Sequence, residues 1–138
     1  MKEENLIDKL NGLNFSLEET GDITILNFGK DYEIQEYGFI WDIIHESKKH
    51  PSEVDFLFKS DQLILDFSNL NYIDQTGGEF TVLNETYKVL KGKEILFCGI
   101  NENIEFIFKM ISEEEYSKLL KFETREKAIE YYRAQKNK

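Results

Sequence analysis

Asn71-Tyr-Ile-Asp-Gln-Thr-Gly-Gly78 sets a carboxylate, an amide, a hydroxyl and two glycines side by side, just after a run of aliphatic residues. Gly77 and Gly78 would let backbone amides approach an anion. The glycine spacing and the lysine of a nucleotide-binding loop are absent, however, and Asp74 repels phosphate. Thr76 as a nucleophile needs a base and an orienting group, and the two histidines, His45 and His50, fall in and just past a different predicted helix. Five residues apart, those histidines do not share a helical face well enough to chelate a metal, so they read as solvated surface groups. The single cysteine, Cys98, closes an apolar strand pattern and reads as a buried, inert thiol. Spacing thus assembles no catalytic set, metal site or cofactor loop, and the expectation is a protein that is not an enzyme. Two roles remain for the stretch. Thr76 or Asp74 can cap a helix while the glycines allow a tight turn, and the exposed groups can touch a partner.

Position favours the second role as well as the first. Leu63-Ile-Leu-Asp-Phe67 is a continuous apolar run of the kind found in a strand buried on both faces, and Glu94-Ile-Leu-Phe-Cys-Gly99 is another. Between them Gly77 to Leu90 has helical spacing, with Phe80, Leu83, Tyr87 and Leu90 on one face. Strand, helix, strand is a crossover unit in a parallel sheet. The quoted stretch therefore lies at the carboxyl end of a buried strand and the amino end of a helix, the edge of an open α/β sheet where ligands and contacts gather.

The remaining elements build the support. Leu6, Ile7 and Leu10 predict a short helix stopped at Gly12; Phe15 to Glu19 and Asp22 to Phe28 predict an antiparallel hairpin turning through Thr20-Gly21-Asp22. Ile34 to Lys49 predicts a long helix through Tyr37, Ile40, Trp41 and Ile44. Pro51 interrupts the pattern, and Lys48 to Ser60 reads as a loop packed on the body, with room for a helical turn. Tyr37, Trp41, Phe56 and Phe58 around it read as core lining in preference to an exposed patch. Asn101 to Met110 is helical through Ile104, Ile107, Phe108 and Ile111, and Ser112-Glu-Glu-Glu115 has capping-box spacing for a further short helix. A strand, Leu120 to Glu123, leads to a last helix with Thr124 as N-cap and Ala128, Ile129 and Tyr132 inside. The result is one α/β domain: a mixed central sheet that starts with an antiparallel hairpin and continues in βαβ units, with helices packed on it.

At 138 residues the chain is one domain long, and 41% hydrophobic content with one proline leaves no low-complexity linker. Seventeen Lys and Arg against twenty-seven Asp and Glu give a net charge of −10, which repels phosphate backbones and anionic lipid surfaces and so argues against nucleic acid. The acidic runs Glu18-Glu19 and Glu113-Glu-Glu115 read as solvated faces. Apolar runs are far short of a membrane span, and Met1-Lys-Glu-Glu-Asn5 has no signal-peptide core, so the expectation is a cytoplasmic protein without membrane insertion.

The succession of hairpin, helix, Leu63-Ile-Leu-Asp-Phe-Ser-Asn-Leu-Asn-Tyr-Ile-Asp-Gln-Thr-Gly77, helix and Ile95-Leu-Phe-Cys-Gly99 resembles the STAS domain of anti-anti-sigma factors and sulfate transporters. The resemblance covers about residues 13 to 133. Residues 1–12 form a leading helix, 48–60 an insertion beyond the family's usual length, and 134–138 a frayed tail. It implies a bacterial binding module whose loop and following helix dock on a partner, often an anti-sigma factor that is also a GHKL-type kinase. Partner switching follows phosphorylation of the residue after the aspartate. Carried over by position, the implied contact residues are Asp74, Gln75, Thr76, Gly77 and Gly78, with Asp31 on the same surface. The chain departs from the pattern where it matters: Gln75 stands where the family has the phosphorylated Ser or Thr, and Gly78 replaces an aliphatic residue. Thr76 is left as the hydroxyl able to take phosphate. The resemblance also leaves room for a STAS subunit of a transporter or lipid-export complex and for a domain that senses a small molecule.

Overall fold

The computed structural model describes residues 5–73 and 78–137. Five strands form the main sheet in the order β1-β2-β4-β6-β7: β1 (Phe15–Thr20), β2 (Ile23–Phe28), β4 (Gln62–Asp66), β6 (Leu96–Cys98) and β7 (Leu120–Phe122). β1 and β2 pair antiparallel with Thr20 opposite Ile23, so Gly21 and Asp22 make the turn, and Gly21 takes a φ of 61° that a glycine adopts without strain. Every later pairing is parallel. A second, two-stranded sheet joins β3 (Asp31–Tyr32) to β5 (Tyr72–Ile73).

Strand order that steps steadily across the sheet, combined with crossovers of one hand, puts the connecting helices on one face. Those helices are α2 (Ile34–Lys49), α4 (Gly78–Lys91) and α5 (Glu102–Ser117), joined there by α1 (Leu6–Asn11) and the short α3 (Asp55–Phe58). α6 (Arg125–Lys136) follows the last strand and covers the other face, where Ala128 and Tyr132 pack on Ile23, Ile25, Ile64, Leu96 and Cys98. Residues alternate between the two cores: Leu63, Leu65 and Phe67 point to the α2/α4 side and Ile64 to α6. Full burial of both faces is why β4 and β6 read as continuous apolar runs.

Local chemistry ends the helices where the sequence indicates. Asn101 accepts from Ile104 N at 2.9 Å and Thr124 from Lys127 N at 3.2 Å. Ser112 is non-helical (φ −163°, ψ 105°) and accepts from Glu115 N at 3.2 Å, so the expected short helix exists as the kinked end of α5. Buried Asn84 accepts from Ile95 N at 2.8 Å, tying α4 to the entry of β6.

Two expectations need correction, and one is borne out in finer detail. The buried face of α2 is Phe39, Ile40, Ile43 and Ile44; Tyr37 and Trp41 lie on its half-buried flank, because α1 and α4 together cover a different arc from the one chosen by spacing. The 48–60 stretch packs on the body with helical turns, as read: a 3-10 turn (Pro51–Val54) followed by α3, with Val54, Leu57 and Phe58 buried. Glu18 and Glu19 are not merely solvated: they pair with Arg125 and Lys59, charging the exposed edge of the sheet.

The sharpest backbone constraint is Gly99, at φ 73°, where a Cβ would stand 2.3 Å from Ser68 Oγ and 2.7 Å from Ser68 N. Left-handed conformation alone costs a non-glycine residue about 1 to 2 kcal/mol, and the backbone clash adds to it. Gly99→Ala is therefore expected to lower stability by more than about 2 kcal/mol in urea titration; a midpoint equal to the parent's would show that the two loops do not cross this closely.

Candidate functional site

All four parallel strands end at one edge, at Phe28, Asp66, Cys98 and Phe122. The segment singled out by sequence lies there, between β5 and α4. Asp74, Gln75, Thr76 and Gly77 fall outside the described residues, as does the capping role expected of Asp74 or Thr76; the structure describes what surrounds them. Gly78 opens α4, is exposed, and has open space where a Cβ would be. Asp31 is exposed and sits in register with Tyr72, while Lys30 O accepts from both Asn71 N (2.8 Å) and Tyr72 N (3.0 Å). The weakest of the candidate residues by sequence is thus brought, through the β3–β5 pair, to the strand that leads into the segment. His45 and His50 are exposed on α2 and at its end, and among the described residues no group of three His, Cys, Asp or Glu has metal-site geometry.

Beneath the segment's flanks lies a pair that spacing did not reveal. Tyr32 and Glu79 are each 1% exposed, and the Tyr32 hydroxyl donates to Glu79 Oε2 at 2.6 Å. Burial, helped by the neighbouring carboxylate, pushes the Tyr32 phenol far above its ordinary value. β3 and the first turn of α4 are therefore joined by a charge-assisted bond in a water-free place. An acidic residue in a first helical turn is ordinarily explained by the helix dipole, so nothing in the sequence marks Glu79 as buried. Around the pair, Phe28 stacks on Phe67 with ring centres 4.3 Å apart, and Phe80 meets Tyr32, Phe67 and Phe108 at 5.3 to 5.6 Å.

On the α6 side of the same edge, Arg125 gathers three strands. Its Nε donates to Asp66 (2.9 Å), its Nη1 to Glu18 (2.9 and 3.1 Å), and its Nη2 to Asn27. Ser68 adds donors to Asp66 from its backbone (2.9 Å) and hydroxyl (2.6 Å). Burial alone would raise the Asp66 carboxyl, but the Ser68 and Arg125 bonds outweigh it and hold the group below its ordinary 3.8. Cys98, opposite Asp66 in the sheet, is fully buried, and burial pushes its thiol up to about 12. It is no nucleophile at neutral pH. A cavity of about 300 Å³ between α4 and α5, lined by Gly78, Val82, Phe108, Ile111 and Tyr116 among others, completes the surroundings.

With this geometry the chain has the STAS fold. SpoIIAA, an anti-sigma factor antagonist, matches in its unphosphorylated form over 86% of this chain and 97% of its own at TM-score 0.58 and 16% identity. Its phosphorylated form from Bacillus matches at TM-score 0.55 and 12% identity, over 98% of that chain. A Thermotoga maritima protein proposed to be an anti-sigma factor antagonist matches at TM-score 0.61 and 17% identity, over 94% of its length. SLC26A9 matches at TM-score 0.59 and 14% identity, over 21% of its length. At these identities the likeness is one of fold. No protein-family model and no curated protein matches the sequence. Among the described residues no helix is long and apolar enough to cross a membrane.

Two outcomes follow from the site's own bonds. Tyr32→Phe removes the hydroxyl donor from a buried carboxylate, and stability should fall by about 1.5 to 3 kcal/mol in urea titration; no loss would mean that Glu79 does not depend on this bond. For Asp66 the folded value lies below the unfolded one, so its contribution to stability is complete above the unfolded value and drains away as pH falls through the folded one. The urea midpoint of the parent should therefore drop from about pH 4 downward, and Asp66→Asn should show a shallower fall. Equal slopes would remove Asp66 from the acid response.

Proposed function

We propose that the chain is a non-catalytic signalling module that binds a protein partner through residues 74–78, with Asp31 on the same surface, in the manner of an anti-sigma factor antagonist. The observation that carries this reading is the match, over 86% of this chain, to SpoIIAA in both its unphosphorylated and its phosphorylated forms. Support comes from the placement of the flanks: β5 and the first turn of α4 are held by the β3 pairing and by the Tyr32–Glu79 bond, a rigid frame for a contact loop. The partner in this reading is an anti-sigma factor, with a GHKL-type kinase as its expected form, in a bacterial cytoplasm.

Position 75 decides how such a module would be regulated. Phosphate on the loop adds about two negative charges to a contact surface and breaks it. Gln75 is neutral and has no hydroxyl, so it resembles the unphosphorylated, binding-competent state permanently. Binding is then constitutive, and regulation acts elsewhere or through Thr76, whose hydroxyl remains. A second reading, a STAS subunit of a transporter or lipid-export complex, is favoured by the match to SLC26A9. A third, a small-molecule sensor, would use the cavity beside Gly78.

Calorimetry against an identified partner tests the first reading. Gln75→Glu should weaken binding by about 1 to 3 kcal/mol, because a charge is placed in a desolvated contact, and Gln75→Ser should accept phosphate from a cognate kinase. Unchanged affinity in Gln75→Glu, or stoichiometric phosphate on Thr76 of the natural protein, would show that position 75 is not the switch point.

A further inference from the structure

α5 carries more apolar surface than the core uses. At 100° per residue, Ile104 and Phe108 fall on the inner face and are buried, while Ile107, Ile111, Met110 and Phe106 continue the apolar arc round to solvent. Phe106, Met110 and Ile111 stand 65%, 71% and 51% exposed. A helix that packs on a core shows an apolar stripe roughly 100° wide; the arc on α5 is about twice that. Its inner edge, at Phe108 and Ile111, is also one wall of the cavity of about 300 Å³ whose other wall is Gly78 and Val82 of α4. The exposed apolar residues of α5 therefore adjoin, through Ile111, a hole large enough for one bulky side chain, beside Gly78.

Charge selects the occupant. α5 has five glutamates and one lysine, a net of −4, on a chain whose total is −10; Glu105 pairs with Lys109 and Glu114 and Glu115 with Lys118, so Glu102 and Glu113 carry the exposed surplus. A second copy laid face to face would bring two such helices together, which like-charge repulsion opposes. Apolar anchors at helical spacing, a receiving hole and a net acidic helix on a net acidic chain fit an amphipathic helix whose polar face is basic. We propose that the outer face of α5 and the α4–α5 cavity form a docking groove for a basic amphipathic helix of another protein. The proposal deepens the partner-binding reading above and rests on it for the identity of the surface.

The probe is a synthetic amphipathic helix of about fifteen leucines and lysines, with its leucine and glutamate counterpart as control. Titration by fluorescence anisotropy should show binding of the lysine peptide that weakens with salt, and none of the glutamate peptide. The double variant Phe106→Ser, Met110→Ser should lose at least about tenfold in affinity. Val89→Ser should leave it unchanged, although Val89 is 85% exposed on α4. Circular dichroism confirms that these surface variants fold. Equal affinity in the double variant, or equal binding of both peptides, would overturn the groove. So would a dimer in sedimentation that the double variant disperses, since the occupant would then be a second copy. Gln75→Glu against the natural partner tests the switch and the peptide series tests the groove, so either can fail without the other.

Discussion

β4 lies at the middle of the main sheet with no water on either side, and the rest of the molecule is arranged to keep it so. Each face of a parallel sheet must be covered, and a strand with five buried residues in a row leaves no polar face to expose. α2, α4 and α5 cover one side because the crossovers deliver them there; α6 has to return from β7 to cover the other. Loss of either layer would expose Leu63, Leu65 and Phe67 or Ile64 and its neighbours. The Asn84 bond fixes α4 against the entry of β6, and Gln62 ties β4 to the Glu94 carbonyl just before β6.

Asp66, at the far end of that strand from Gln62, organises the functional edge. Asp66 closes β4 on the α6 side, where a carboxylate with no partner would be costly. Arg125 from the start of α6 reaches it, and the same guanidinium holds Asn27 and Glu18, so β1, β2, β4 and α6 meet in one network. Ser68 answers Asp66 from the following loop, and Gly99 allows that loop to cross the end of β6. The chain between β4 and α4 thus leaves the sheet along a fixed path before it reaches residue 74.

On the opposite side of that edge, a second buried carboxylate supports the start of α4. A phenol from β3 gives Glu79 a short hydrogen bond, and Phe80 packs against the ring of that phenol. Because β3 also carries Asp31, the bond couples the outlying contact candidate to the helix that follows the loop. Strand pairing, aromatic cluster and buried pair hold β5 and the first turn of α4 on either side of residues 74–77.

The order of the main-sheet strands and long helices was legible in the residues because it rests on local rules; the short β3 and β5 were not. The period of apolar residues, the hairpin turn at Gly21 and the caps at Ser112 and Thr124 each act within a few positions. The runs 63–67 and 95–98 announced a parallel, doubly covered sheet for the same reason, and the stretch 71–78 announced itself by position between a buried strand and a helix. Tertiary structure alone decided which arc of α2 is inside, that Glu18 serves Arg125 across 107 positions, and that Tyr32 and Glu79, 47 positions apart, share a proton bond in the core. It also decided that half of the apolar arc of α5 stays in solvent. These features depend on which surfaces meet after the layers close, and a charged residue carries no mark in the sequence of whether its partner will be water or a phenol forty-odd residues away.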